Sequence, residues 1–250
     1  MIEREELQYH IKCHKGEIGR FVFLPGDPGR CELIARQFDD PEFLVQNREY
    51  CIYNGYINGV KVSVCSTGIG GPSAAIALEE LAAAGADTFI RVGTCGGIDT
   101  KVCAGDTVIA MSAVRQDGTS YEYAPEGYPA TADFEVTRVL ADAAQSLGQR
   151  YHIGVVQAKD AFYGQHSPDN KPTAPMLQYK WQAWKRLHVL ASEMKSAALF
   201  TAAAYLGVRC GSVFSTVWNQ ERQKLLGDET KIEDVTPAIR CAITAVKLMI

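Results

Sequence analysis

Two arginines, a threonine and a run of glycines offer the clearest chemistry in this sequence, because their spacing gathers anion donors where strands end. Ser66-Thr-Gly-Ile-Gly-Gly71 follows the apolar residues 60–65, and Pro72 opens an alanine-rich stretch to Leu81. Arg91-Val-Gly-Thr94 then closes a second apolar run that begins at Thr88. Gly68, Gly70 and Gly71 give the backbone conformations closed to other residues, and Pro72 suits a first helical position, where its missing N–H would have no partner. A guanidinium, a hydroxyl and free backbone N–H groups thus meet at the carboxyl edge of a sheet, where open α/β sheets bind ligands. Phosphate, or an oxyanion like it, is the guest such donors select.

Two other stretches carry possible chemistry. In Pro25-Gly-Asp-Pro-Gly-Arg30, Gly26 can bring a backbone N–H close to an anion and Arg30 falls in the first turn of a helix. Cations are disfavoured there by the helix dipole, so Arg30 reads either as the partner of a bound negative charge or as an ordinary surface arginine. Lys159-Asp-Ala-Phe-Tyr-Gly-Gln-His-Ser-Pro168 supplies rings, an amide, an ammonium and an imidazole that can stack on and hydrogen-bond a flat ring.

The elements that must hold these groups follow from periodicity and turn residues. Strands are expected over 19–24, 43–54, 60–65, 88–92, 105–114, 151–158 and 211–218, with helices from the 25–30 turn to about 38 and over 72–81, 131–147, 181–186, 192–206 and 235–250. Ser192 reads as an N-cap and Gly207 as a helix stop. Residues 1–18 read as a polar, solvated arm, 117–129 and 219–233 as loops, and 167–175 as an irregular loop able to act as a lid. Strands alternating with helices define a βαβ, α/β architecture.

Composition narrows the partners. The 250 residues are 47% hydrophobic and carry a net charge of −4, which offers no general attraction to nucleic acid or anionic membranes. No run reaches the ~18 apolar residues of a membrane span. Eight scattered cysteines with no C-x-x-C pair read as buried thiols of a reduced compartment. His10 and His14 have a helical metal spacing but no supporting cysteines or carboxylates. Neither a Walker loop nor a dinucleotide fingerprint is present.

Ser66-Thr-Gly-Ile-Gly-Gly-Pro-Ser-Ala-Ala-Ile-Ala-Leu-Glu-Glu-Leu81 resembles the signature of the nucleoside phosphorylase family, which contains uridine phosphorylases and the hexameric purine nucleoside phosphorylases. The likeness continues through Pro25-Gly-Asp-Pro-Gly-Arg30, Asn47-Arg-Glu49, Arg91-Val-Gly-Thr94, Phe162-Tyr163 and Glu193-Met194, in the family's order, and is nearest to the uridine-specific branch. It implies one three-layer α/β/α domain over residues 1–250 with a central twisted mixed sheet. It implies phosphorolysis of uridine to uracil and ribose 1-phosphate, with inorganic phosphate as co-substrate and no organic cofactor. A cytoplasmic homo-oligomer, a hexamer arranged as a trimer of dimers, is the expected assembly.

Residue by residue, the resemblance assigns Gly26, Arg30, Arg91 and Thr94 to phosphate, completed by Arg48 of a neighbouring subunit. Thr94, Glu193, Met194 and position 195 fall on ribose, with His10 reaching across the subunit interface. Phe162 and Gln165 fall on the base. Glu49, Ile69 and Ser73 match positions that hold an alkali cation such as K+ in some relatives. Departures are as informative. Ser167 and Gln220 stand where uridine phosphorylases commonly carry arginines, leaving Lys159 first, His166 second and Arg222 third to stabilise the departing base. Val217-Trp218-Asn219 holds no acid where purine-specific members and the related nucleosidases carry an aspartate, which counts against purines and against hydrolysis. Lys195 replaces a glutamate that grips ribose hydroxyls, and an ammonium cannot accept those hydrogen bonds. An altered residue in a competent enzyme, a natural variant with changed sugar preference, and a nucleoside binder without turnover all remain open, as does a purine nucleoside phosphorylase. The catalytic set expected is Arg91, Thr94, Glu193 and Lys159.

Overall fold

The computed structural model describes residues 7–227 and 230–250; residues 1–6 of the expected arm and 228–229 of the expected polar loop lie outside it. In chain order the elements are β1 (Phe21–Leu24), α1 (Gly29–Ala35), β2 (Asp39–Asn47), β3 (Tyr50–Ile57), β4 (Val60–Cys65), α2 (Gly71–Ala83), β5 (Thr88–Gly97), β6 (Thr107–Gln116), α3 (Thr119–Tyr123), β7 (Ala130–Thr131), α4 (Phe134–Ser146), β8 (Tyr151–Lys159), α5 (Phe162–His166), α6 (Ala174–Arg186), β9 (Ala191–Glu193), α7 (Ser196–Leu206), β10 (Arg209–Asn219), α8 (Gln220–Leu226) and α9 (Thr236–Met249).

One mixed sheet runs through the structure. β1, whose four residues are all buried, lies parallel between β4 and β5, and β3 and β2 extend that side antiparallel. Beyond β5 the sheet closes on itself: β5 pairs with β10, β10 with β6, β6 with β8, β8 with β9, and β9 again with β5. Such closure gathers several strand ends around one opening.

Apolar faces explain the layers. Leu78 and Leu81 of α2 and Leu199 and Phe200 of α7 pack with Phe89 on one face, while Ile34 of α1, Leu140 of α4 and Ile239 of α9 pack with Phe23 and Val213 on the other. Each such side chain, removed from water, favours folding by roughly 1.5–3 kcal/mol. The result is the three-layer α/β/α arrangement expected.

Several expectations are corrected. Residues 43–54 are not one strand: β2 and β3 form a hairpin with Arg48-Glu49 at its tip, Arg48 taking φ +53°. The described part of the N-terminal arm is only partly solvated: Leu7 and Tyr9 are exposed, whereas Ile11 and Cys13 are fully buried. The loop at 117–129 contains α3, the polar loop at 219–233 contains α8, and the helix expected at 181–186 begins at Ala174. The lid segment is accordingly short, a 3-10 turn at Pro168–Asn170 followed by α6. Ser192 lies within β9 and caps no helix. All eight cysteines are free, seven of them buried.

Candidate active site

Strand register decides which side chains meet. Leu24 pairs with Arg91, Thr94 with Ser215, Gly96 with Ser192, and Ala158 with Glu193, so the ends of β1, β5, β8, β9 and β10 face one another. Around them opens a cavity of about 930 Å³. Gly26, Arg30, Arg91, Thr94, Glu193, Met194, Lys195, Lys159, Phe162, Gln165 and His166 all line it, so most residues the sequence singled out converge.

One end is cationic. Arg91 is 4% exposed and its Nη1 donates to the carbonyl oxygens of Val92 (2.9 Å) and Leu24 (3.3 Å), which orients the guanidinium along the edge of the sheet. Its Nε has no hydrogen-bond partner among the described residues and lies 3.8 Å from a carboxylate oxygen of Glu193. Gly93 makes room for this fold-back, because a Cβ there would sit 2.7 Å from both terminal guanidinium nitrogens. Arg30 stands in the first turn of α1, as expected. Glu193, 3% exposed, accepts from the backbone N–H groups of Lys195 (3.0 Å) and Ser196 (2.7 Å), so its carboxylate caps α7. A buried arginine with open donors is a strong anion site.

Lys195 is placed differently from expectation. It precedes α7 rather than lying in its first turn, and its ammonium rests against Gly26 at the anion end, where a Cβ on Gly26 would be 2.7 Å from Nζ. Burial first, then Arg91 and Arg30, lower its pKa to about 7, with Glu193 opposing.

The other end is a chain of side chains. Lys159, 5% exposed, donates to Gln165 Oε1 and to Ser192 Oγ, and Gln165 Nε2 points toward Gln220 Oε1 at 3.4 Å. The Phe162 and His166 rings lie 4.4 Å apart, and the Lys159 ammonium sits 5.8 Å from the Phe162 ring centre. Burial lowers Lys159 to about 8 despite Glu193 nearby, and burial, then Lys159 and Lys231, lower His166. Trp218 is half-buried and lines the cavity beneath Lys231. Arg222 turns away to the Thr100 carbonyl and does not line the cavity. Ser192, Gln220 and Lys231 were not assigned to the site from sequence; only Gln220 had a signal, as the position of a missing arginine.

His10, Arg48, Glu49, Ile69 and Ser73 divide differently. Ile69 lines the cavity, whereas the other four do not. His10 Nδ1 pairs with Glu80 at 2.6 Å, and Asn47 donates to the His10 carbonyl, which ties His10 to the hairpin that carries Arg48. Ser73 donates to Glu49 Oε1 at 2.8 Å, and Glu49 is held low by its own backbone N–H and by Ser73. No group of three or more His, Cys, Asp or Glu side chains among the described residues is placed to hold a metal ion. Asn219, fully buried, donates to the Asp99 and Val102 carbonyls and caps α8, so no acid faces the cavity from that position.

A cationic end and an end lined by rings and amides thus share one cavity in a closed mixed sheet, the arrangement of an α/β enzyme. The profile of the Phosphorylase superfamily matches residues 20–248, and the chain belongs to that family. It is 48% identical over 250 residues to a uridine phosphorylase of Treponema pallidum, covering all of this chain and 97% of that one. It is 37% identical over 247 residues to a uridine phosphorylase of Escherichia coli, covering 97% and 98%. A guanosine phosphorylase of Halorubrum lacusprofundi is 36% identical over 246 residues, covering 96% and 98%.

Proposed function

We propose that this chain catalyses the reversible phosphorolysis of uridine to uracil and ribose 1-phosphate. The observation that carries the reading is one cavity with two chemistries: Gly26, Arg30 and Arg91 at one end, and the Lys159–Gln165–Gln220 chain beside Phe162 at the other. Phosphate held at the first end is aimed at C1′; its oxygen forms the new bond while the bond from C1′ to uracil N1 breaks and its electron pair leaves with the base. Fixing a dianion in line replaces a costly bimolecular encounter, an effect that reaches about 7–11 kcal/mol in well-oriented cases.

The base end supplies the second half. Gln165 already accepts from Lys159, so its Nε2, held only loosely by Gln220, is the group free to turn to a uracil carbonyl. As negative charge grows on that carbonyl, the buried Lys159 ammonium stabilises it through the amide, and the low-dielectric surroundings strengthen the effect. Glu193 and Met194 face the sugar between the two ends. The absence of an acid at Asn219 supports a pyrimidine over a purine.

Arg48 and His10 lie outside their own chain's cavity, which supports a homo-oligomer whose sites borrow both from a neighbour, with the hexamer as the natural form. Buried free thiols support a cytoplasmic location; no helix among the described residues is long and apolar enough to cross a membrane. The test is release of uracil from uridine with and without phosphate, set against hypoxanthine from inosine. Phosphate-dependent uracil release with little hypoxanthine is expected; release that ignores phosphate would mean hydrolysis and overturn the reading.

A further inference from the structure

Position 195 falls on ribose by resemblance, yet the Lys195 ammonium lies at the opposite role's end of the cavity. The side chain is 5% exposed, its Nζ rests against Gly26, and it lines the cavity. Arg30, Arg91 and Lys195 therefore put three cationic groups on one wall. The facing carboxylate is Glu193, and its oxygens already accept from the first N–H groups of α7. Asp27, which accepts the Gly29 N–H, and Glu233 also line the cavity, but crowding three cations largely out of water beside a carboxylate that is already engaged is costly. The missing negative charge is what a tetrahedral dianion supplies.

We propose that Lys195 is a phosphate ligand: with Gly26, Arg30 and Arg91 it completes the anion site, and it is not a sugar ligand. The identity of the anion rests on the phosphorolysis reading; the anion-binding role of Lys195 does not. The lowered pKa of the amine agrees, since a bound dianion between Lys195 and the two arginines would restore its charge. Lys195 is in this view neither a defect at the ribose hydroxyls nor neutral filler. It shifts binding strength from the sugar to the phosphate.

The experiment titrates inorganic phosphate into the wild type and into Lys195→Met by calorimetry, with no nucleoside present. Methionine keeps the length of the side chain and drops the charge. The phosphate Kd should rise about tenfold or more, the usual weight of a charge-assisted hydrogen bond, while Lys195→Arg stays within a few-fold of wild type. In turnover, the phosphate KM should rise with little change in the uridine KM. Folding is checked by Tm without phosphate, which should not fall below wild type because a desolvated charge has been removed. An unchanged phosphate Kd in a folded Lys195→Met, or a rise confined to the uridine KM, overturns the proposal. If the wild type releases no uracil and Lys195→Met still loses phosphate affinity, the functional reading falls and this one stands.

Discussion

The two ends of the cavity are held in place by different means. At the anion end, Arg91 is oriented by backbone carbonyls of its own strand and of β1, and its neighbours Gly26 and Arg30 follow β1 at a strand–helix turn set by the parallel register of β1 and β5. At the base end, Ser192, Lys159, Gln165 and Gln220 hold one another, and Phe162, 49% exposed, rides on a five-residue helix. Backbone-anchored donors cannot readjust, which suits a ligand of fixed shape and charge. Side-chain networks can, and a ring that must enter, lose its sugar and leave is better served by groups that exchange partners. Pre-organisation is therefore concentrated where charge must be placed, and adaptability where recognition must alternate.

Breaking the rigid end should cost most. Arg91→Met removes the buried guanidinium, and uracil release is expected to fall by about 10³-fold, with phosphate binding weakened in parallel. A fall in turnover with phosphate binding intact would show that Arg91 only supports the strands. Breaking the adaptable end should cost less and differently. Lys159→Met should lower kcat by about 10²-fold with the phosphate Kd unchanged. The proposed leaving-group role requires the ammonium form of Lys159, whose pKa is lowered to about 8, so wild-type kcat should decline as pH rises through about 8. The variant should lose that decline. A pH profile shared by both proteins would remove Lys159 from the leaving-group role.

The same division explains what could be read from sequence. The anion end was legible because its residues obey local rules: glycine turns and Pro72 at a helix start signal themselves over a few positions. Nothing local announces a partner far along the chain. His10 read as part of a solvated arm because its anchor, Glu80, is seventy residues away. Residues 43–54 read as one strand because the tip of the hairpin is Arg48-Glu49, and an arginine in left-handed backbone conformation has no turn signature. The α8 segment, Gln220–Leu226, hid in a polar stretch, its N-cap Asn219 being visible only once β10 was known to end there. Lys195 falls on ribose by resemblance because a resemblance carries a position, whereas a lysine's reach decides where its charge goes, here against Gly26.

A smaller, thermodynamic difference separates Lys195 from its surroundings. Its pKa is lowered to about 7 from an ordinary 10.5 by burial, then Arg91 and Arg30, so between those values the unfolded chain binds more protons than the folded one. The cost of the buried charge is thus fully present below pH 7 and is relieved as pH rises toward 10. Lys195→Met should exceed the wild type in Tm most below pH 7, and the gap should close toward pH 10; Lys159, common to both proteins, cancels in the difference. Saturating phosphate should shrink the gap at low pH by stabilising the wild type more. A gap independent of pH would mean the amine is well solvated.

The smallest effect isolates the scaffold from both ends. Asp133 accepts the Val136 N–H at 2.9 Å as the N-cap of α4, on the face of the sheet that carries α9 and away from the cavity. Asp133→Ala should cost about 1 kcal/mol, the usual weight of a lost cap, and lower Tm by roughly 2–4 °C. Phosphate Kd and kcat should stay at their wild-type values, because the register of β1, β5, β8 and β9 does not pass through α4. Should this cap mutation alter phosphate binding while leaving the base end untouched, the anion end would be coupled to the helical layer behind it, and its rigidity would belong to the whole fold rather than to its own strand ends.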